Sequence, residues 1–202
     1  MTRIAAVLLA AGLGSRYRAA DPSLPTKLVA PAGGMPMVRR VALAASGSRA
    51  DPIVVVTGHA APAVRAALDG LTLAFAHNGD HASGMASSLR TGLLALPADV
   101  DGALVLLGDM PAVTPPLLDR LIAAFAADPS VDALVPTRDG RRGNPALLSR
   151  ALFQAAATLT GDEGARRLLA RGRVAEVEVG DPAVLLDVDE PAGLGLTGIP
   201  PG

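Results

Sequence analysis

A single lysine, Lys27, stands among seventeen arginines, shortly after the segment Leu9-Ala10-Ala11-Gly12-Leu13-Gly14-Ser15-Arg16. The two cations are not equivalent, because an ammonium is a compact point charge on a flexible stem and a guanidinium is a rigid planar fork. The one lysine of an arginine-rich chain suits an anion that changes position, such as a phosphate undergoing transfer. The glycines ahead of it let backbone N–H groups approach an anion closely. Three carboxylates follow short apolar runs: Asp109 in Gly108-Asp109-Met110-Pro111, and Asp187 and Asp189 after Val184-Leu185-Leu186. Carboxylates in such positions can hold Mg²⁺ through one or two oxygens while phosphates and water complete the octahedron. Each has a plainer reading as well. Asp109 can serve as a turn former before Pro111, and Asp189, with Asp187, as the N-cap of a helix beginning near Pro191.

The elements that must position these groups alternate along the chain. Arg3 to Leu9 reads as a wholly apolar strand, Pro36 to Ser46 as a helix, Pro52 to Val56 as a β-branched strand, and Pro62 to Leu68 as a helix opened by its proline. Leu71 to Ala76 is the next strand, followed by a polar loop, His77 to Gly84, and a helix from Met85 to Ala95. Ala103 to Leu107 is an apolar strand ending at Asp109, and Thr114-Pro115-Pro116 opens a helix running to Ala127. Beyond Ala133 to Pro136 the pattern loosens, with helices around Leu152 and Arg166 and strands at Val174 to Val179 and Val184 to Asp187. Strands separated by helices argue for βαβ units and a mainly parallel sheet whose central strands are continuously apolar. The expected fold class is α/β, with a length compatible with one domain over residues 1–202 and a frayed tail from Gly193 to Gly202. In such sheets ligands sit beyond the carboxyl ends of the strands, where Gly12 and Asp109 fall.

Composition narrows the partners. A formal net charge of −1 gives no basic field for nucleic acid or an anionic membrane surface. There is no cysteine, so thiol catalysis and disulfides are excluded. No apolar stretch reaches transmembrane length. Arg3 ahead of the first apolar run imitates a secretory signal, but the run leads into Arg16 and Arg18 without a clear cleavage site, so a cytoplasmic location is expected. Three Phe, one Tyr and no Trp make aromatic stacking on a base an improbable mode of recognition. The glycine loop matches neither the Rossmann fingerprint, which wants a third glycine where Tyr17 stands, nor the Walker pattern.

Taken in order, Leu9-Ala10-Ala11-Gly12 with Ser15-Arg16 and Lys27-Leu28, Gly34-Met35-Pro36-Met37, Gly84-Met85-Ala86-Ser87-Ser88-Leu89, Leu107-Gly108-Asp109-Met110-Pro111, Arg142-Gly143-Asn144-Pro145, Gly161 to Arg166 and Asp187-Val188-Asp189-Glu190-Pro191 resemble the molybdenum-cofactor nucleotidyltransferases, most closely the cytidylyltransferase branch. The resemblance implies a single Rossmann-like nucleotidyltransferase domain, an Mg²⁺-dependent enzyme that joins CMP from CTP to a molybdenum-loaded molybdopterin and releases pyrophosphate, with a molybdenum hydroxylase as client. It places Leu9, Ala10, Ala11, Gly12, Gly14, Ser15 and Arg16 on the base and phosphates, Lys27 on the triphosphate, and Asp109 on the metal, with Asp187 or Asp189 completing that site. Ser87, Ser88 and Arg90 line the nucleotide side; Arg142, Gly143 and Asn144 meet the pterin. Where guanylyl-transferring relatives have Leu-Ala-Gly-Gly, the methyl group of Ala11 implies a preference for cytosine over guanine. The chain departs from the pattern at Tyr17-Arg18 and the inserted Ala19 to Pro25, at Asn144 in place of a histidine, and at His81 in place of an aromatic residue, the last two on the expected acceptor side. A different phosphorylated acceptor (a sugar, polyol or lactyl phosphate) and a non-catalytic cofactor chaperone are the competing readings.

Overall fold

The computed structural model describes residues 2–156, 158–161, 165–170 and 172–199. Its strands are β1 (Ile4–Ala10), β2 (Pro31–Ala32), β3 (Met35–Pro36), β4 (Ile53–Thr57), β5 (Ala74–His77), β6 (Gly102–Leu107), β7 (Ala133–Arg138), β8 (Arg141–Arg142), β9 (Ala146–Ser149) and β10 (Val174–Glu178). Its α-helices are α1 (Ser15–Ala20), α2 (Met37–Ser46), α3 (Ala61–Ala67), α4 (Met85–Leu94), α5 (Pro115–Ala127), α6 (Phe153–Ala156) and α7 (Ala165–Leu169). Every residue of β1 is buried. Successive side chains of a strand point to opposite faces, so Ile4, Ala6 and Leu8 enter one core with α2, α3 and α5, while Ala5, Val7 and Leu9 enter the other with Leu89 and Leu93 of α4. A strand covered by helices on both faces must be apolar throughout.

The main sheet runs β10-β7-β9-β6-β1-β4-β5, with β8 paired to β7. β1 pairs in parallel with β4 on one side and β6 on the other, with Leu9 level with Leu107. The chain leaves β1 towards β4 and β5 and then returns to place β6 on β1's opposite edge. That reversal opens a crevice beyond the carboxyl ends of β1 and β6, and both the Gly12 loop and Asp109 lie in it. The chain is thus a single α/β domain with a mostly parallel, mixed sheet between helices. No helix among the described residues is long and apolar enough to cross a membrane.

Several expectations are corrected. Val184 to Asp187 is not a strand: Pro182–Leu185 forms a 3-10 turn, opened by Asp181, whose side chain accepts the Ala183 N–H. The strand expected at Leu71 to Ala76 lies at Ala74–His77, and Ser15–Ala20, expected as loop, is helical. β9, which the sequence pattern did not reveal, runs antiparallel between β6 and β7. The segment expected to fray from Gly193 belongs as far as Thr197 to a 3-10 helix, Pro191–Thr197, and Leu194 packs against the buried cluster of Tyr17, Ala30, Ala32, Met37 and Val188. The remainder of that expected tail, residues 200–202, lies outside the described residues, as do Asp162, Glu163 and Gly164 of the Gly161 to Arg166 motif.

Candidate active site

Asp109, at the end of β6, and the segment from Asp187 to Asp189 meet through the main chain, where the Val188 N–H donates to the Asp109 carbonyl at 2.9 Å. This bond turns Asp187 and Asp189 towards Asp109, and carboxylate oxygens of the three lie within 4.8 Å of one another. Asp189 is not an N-cap. Glu190 holds that position in the following 3-10 helix without a side-chain bond, while Asp189 binds two cations. Lys27 Nζ lies 2.7 Å from Asp109 Oδ2 and 2.9 Å from Asp189 Oδ1, and Arg16 Nη1 lies 2.7 Å from Asp189 Oδ2.

Lys27 reaches this point from a single 3-10 turn, Lys27–Val29, fixed by buried Thr26, whose Oγ1 accepts the Leu28 N–H. Its side chain is only 12% exposed, against 73% for Arg16. Burial works against the Lys27 charge, but Asp109 and Asp189 outweigh it and the ammonium's pKa lies above its ordinary value. At Asp189 burial again opposes ionisation, and Lys27 and Arg16 together hold the carboxyl below the ordinary aspartate range. Both shifts say that the ion pairs prevail over desolvation.

The glycine loop is tied to the lysine directly. Gly14 has φ +58°, and a Cβ there would stand 3.2 Å from Lys27 Cγ, so the loop curls over the lysine stem only with glycine at this position. Loop, lysine and carboxylates line one cavity of about 700 Å³, within the range of small-molecule sites. Of the expected residues, Leu9, Ala11, Gly12, Gly14, Ser15, Arg16, Lys27, Ser88, Asp109, Asp187 and Asp189 line it.

Others do not. Ala10 is buried in the core, Ser87 is buried with its Oγ bonded to the Asp80 and Gly84 carbonyls, and Arg90 Nη2 faces Asp80 Oδ2 at 4.0 Å. Ala11, whose methyl is expected to face a base, lines the cavity and also belongs to the core cluster beneath α4. Arg142, Gly143 and Asn144 lie outside the lining as well. Arg142 pairs with Glu176 at 2.7 Å, Gly143 N–H donates to Pro136 O, and Asn144 N–H donates to Val184 O. The last bond anchors the turn that leads to Asp187.

Sequence reasoning missed Asn78, the buried organiser of the cavity's second wall. Its N–H donates to Thr57 O at 2.7 Å, its Nδ2 to Ser87 Oγ at 2.8 Å and Ser88 Oγ at 3.0 Å, and its Oδ1 accepts the Asp80 N–H at 3.0 Å. An isolated asparagine in a polar loop carries no signal of this. Leu13, Tyr17, His81 and Met85 also line the cavity; two of them, Leu13 and Met85, are large apolar side chains left exposed at 43% and 42%.

The arrangement has one orphan: Asp109 Oδ1 is buried without a hydrogen-bond partner. An unpaired buried carboxylate oxygen is costly, and the Asp109 carboxyl belongs to a cluster of oxygen ligands of the kind divalent cations take. Asp109, Asp187 and Asp189 therefore fit a hard divalent metal.

A family model described as the MobA-like NTP transferase domain matches residues 6–177. The chain belongs to this family. The MobA-like domain is similar over its length to Rv0371c from Mycobacterium tuberculosis H37Rv, with 29% identity and a TM-score of 0.83, covering 96% of this chain and 97% of that one. A structure of Rv0371c in complex with manganese matches at 30% identity and a TM-score of 0.77, covering 97% and 98%. A nucleotidyl transferase from Methanothermobacter thermautotroptrophicus matches at 26% and 0.79, covering 96% and 94%. Among curated proteins, the bifunctional protein GlmU of Kineococcus radiotolerans is 39% identical over 125 residues, 61% of this chain and 25% of GlmU. The MobA-like chain thus spans about a quarter of the length of that relative.

Proposed function

We propose that this chain is a cytoplasmic, Mg²⁺-dependent cytidylyltransferase that transfers CMP from CTP to molybdenum-loaded molybdopterin, giving the cytosine dinucleotide and pyrophosphate. The observation that carries the reading is the double ion pair of Lys27 with Asp109 and Asp189 under the Gly14 loop, in one cavity of a MobA-like NTP transferase domain. The manganese complex of Rv0371c supports a divalent metal in this relative too.

In the transfer, an oxygen of the acceptor's phosphate forms a bond to the α-phosphorus of CTP as the bond to the β-phosphate oxygen breaks and pyrophosphate departs. Such chemistry needs reactants held in line and charge stabilised, with no protein nucleophile. A divalent ion held by Asp109 with Asp187 or Asp189 would neutralise the phosphate charge. Lys27 and Arg16 then exchange their carboxylate partners for phosphate oxygens, a move the flexible lysine stem permits. Main-chain groups of Ala11 to Ser15 border the nucleotide. The acceptor assignment rests on the motif order, including Arg142-Gly143-Asn144 beside the turn into Asp187.

Incubating the purified protein with CTP, Mg²⁺ and molybdenum-loaded molybdopterin, and following pyrophosphate and the dinucleotide by mass spectrometry, tests the reading. Stoichiometric formation of both is expected. Pyrophosphate release only with a sugar, polyol or lactyl phosphate would transfer the protein to another acceptor. Tight pterin binding without any pyrophosphate would make it a cofactor chaperone.

A further inference from the structure

The cavity has two chemically distinct ends. Lys27, Arg16 and the three carboxylates form a charged end suited to a triphosphate and its metal. At the other, His81 and Ser88 offer hydrogen-bonding groups held by Asn78.

The His81 Nδ1 lies 3.1 Å from the Asn78 carbonyl oxygen. A carbonyl only accepts, so Nδ1 carries the hydrogen and, in the neutral ring, Nε2 is left as an acceptor. Nε2 has no hydrogen-bond partner among the described residues. Ser88 Oγ already accepts from Asn78 Nδ2, which leaves its O–H free to donate. Gly58 admits the imidazole: a Cβ at position 58 would stand 2.7 Å from His81 Cβ and 2.8 Å from Ala11 Cβ, so only glycine lets histidine and loop approach this closely.

Resting on the nucleotidyltransferase reading, we infer that His81 and Ser88 are the base-reading pair, His81 Nε2 accepting from an exocyclic amino group and Ser88 donating to the neighbouring ring nitrogen or carbonyl. An acceptor and a donor anchored on the same asparagine match cytosine, whose N4 amino group donates and whose neighbouring N3 accepts. Uracil presents a carbonyl at that position, which would face the Nε2 lone pair. His81 is therefore a specificity determinant for the amino pyrimidine, on the base side of the cavity and not the acceptor side.

The test is equilibrium binding of CTP and UTP by calorimetry in the presence of Mn²⁺, which needs no acceptor. The wild-type protein is expected to bind CTP about tenfold or more tightly than UTP, the ratio of one well-placed hydrogen bond against one lost. His81→Phe, which keeps a ring and removes both nitrogens, is expected to bring the two affinities together while retaining nucleotide binding through the triphosphate. His81→Lys, which replaces an acceptor by a donor, is expected to reverse the order, an outcome no loss of packing would produce. Equal affinities in the wild type, or an unchanged preference for CTP in a folded His81→Phe, would overturn the assignment. Binding of neither nucleotide to the wild type would overturn the nucleotidyltransferase reading itself.

Discussion

Replacing Lys27 by methionine removes a charge and leaves the stem, which separates electrostatics from packing. In the folded protein the ammonium is the bridge between Asp109 and Asp189, at 2.7 and 2.9 Å, and the side chains involved are 12%, 19% and 34% exposed. Deleting one partner of a fully buried ion pair costs about 3 to 5 kcal/mol and an exposed pair about 0 to 1. This partly buried bridge lies between, at about 2 kcal/mol, or roughly 4 to 8 °C in melting temperature for a chain of this size. The loss comes mainly from two carboxylates left facing each other. A divalent cation at those carboxylates replaces the missing charge, so Mn²⁺ should raise the melting temperature of Lys27→Met more than that of the wild type, where it must displace the ammonium. Turnover should fall by about 10² to 10³, the usual cost of one group that stabilises developing charge. Differential scanning fluorimetry across a Mn²⁺ titration, with pyrophosphate release measured in parallel, provides both readouts. Equal stabilisation of the two proteins by Mn²⁺ would refute the placing of Lys27 at the metal's carboxylates. Full activity in Lys27→Arg would refute the requirement for a point charge.

Asp109→Asn should fold normally and lose metal-dependent turnover, since Asp109 Oδ1 is buried without a hydrogen-bond partner and the Asp109 carboxyl clusters with those of Asp187 and Asp189; pyrophosphate release equal to the wild type would contradict this. Gly14→Val adds a branched side chain at positive φ, costing about 1 to 2 kcal/mol, and presses on Lys27 Cγ, so KM for the nucleotide should rise more than stability falls, as paired kinetics and thermal melts would show. Asn78→Ala removes the Nδ2 donor that holds Ser88 while the main-chain carbonyl at position 78 still holds the His81 ring, and its nucleotide affinity should drop while Mn²⁺ affinity, measured by calorimetry, is unchanged.

The architecture around the site was legible where burial on both faces left its mark. β1 and β6 are wholly apolar runs, and a strand covered by helices on both sides has no other composition open to it. Three of the five groups of the charged end, Lys27, Asp109 and Asp189, were also visible, because they differ sharply from the apolar residues around them. What the pattern could not show is how segments distant in sequence meet. Ala146–Ser149 is too short to distinguish a strand by periodicity, and its antiparallel place between β6 and β7 is set by tertiary pairing alone. Val184-Leu185-Leu186 has a strand's composition, yet the 3-10 turn opened by Asp181 and Pro182 takes it out of the sheet, and the chain beyond it brings Asp187 to the Asp109 carboxylate and Asp189 to Lys27. Asn78 was unreadable for a related reason: its role consists of bonds to Thr57, Ser87, Ser88 and His81, and no single-residue propensity encodes them.

The most direct test of the charged end as the catalytic centre is a crystal structure with Mn²⁺ and a CTP analogue that cannot be cleaved between the α- and β-phosphates, read by anomalous diffraction. The expected result is a manganese peak bonded to Asp109 and to Asp187 or Asp189, with Lys27 Nζ moved from its carboxylates onto phosphate oxygen. Manganese bound elsewhere, or a triphosphate lying away from an unmoved Lys27–Asp109 pair, would contradict it.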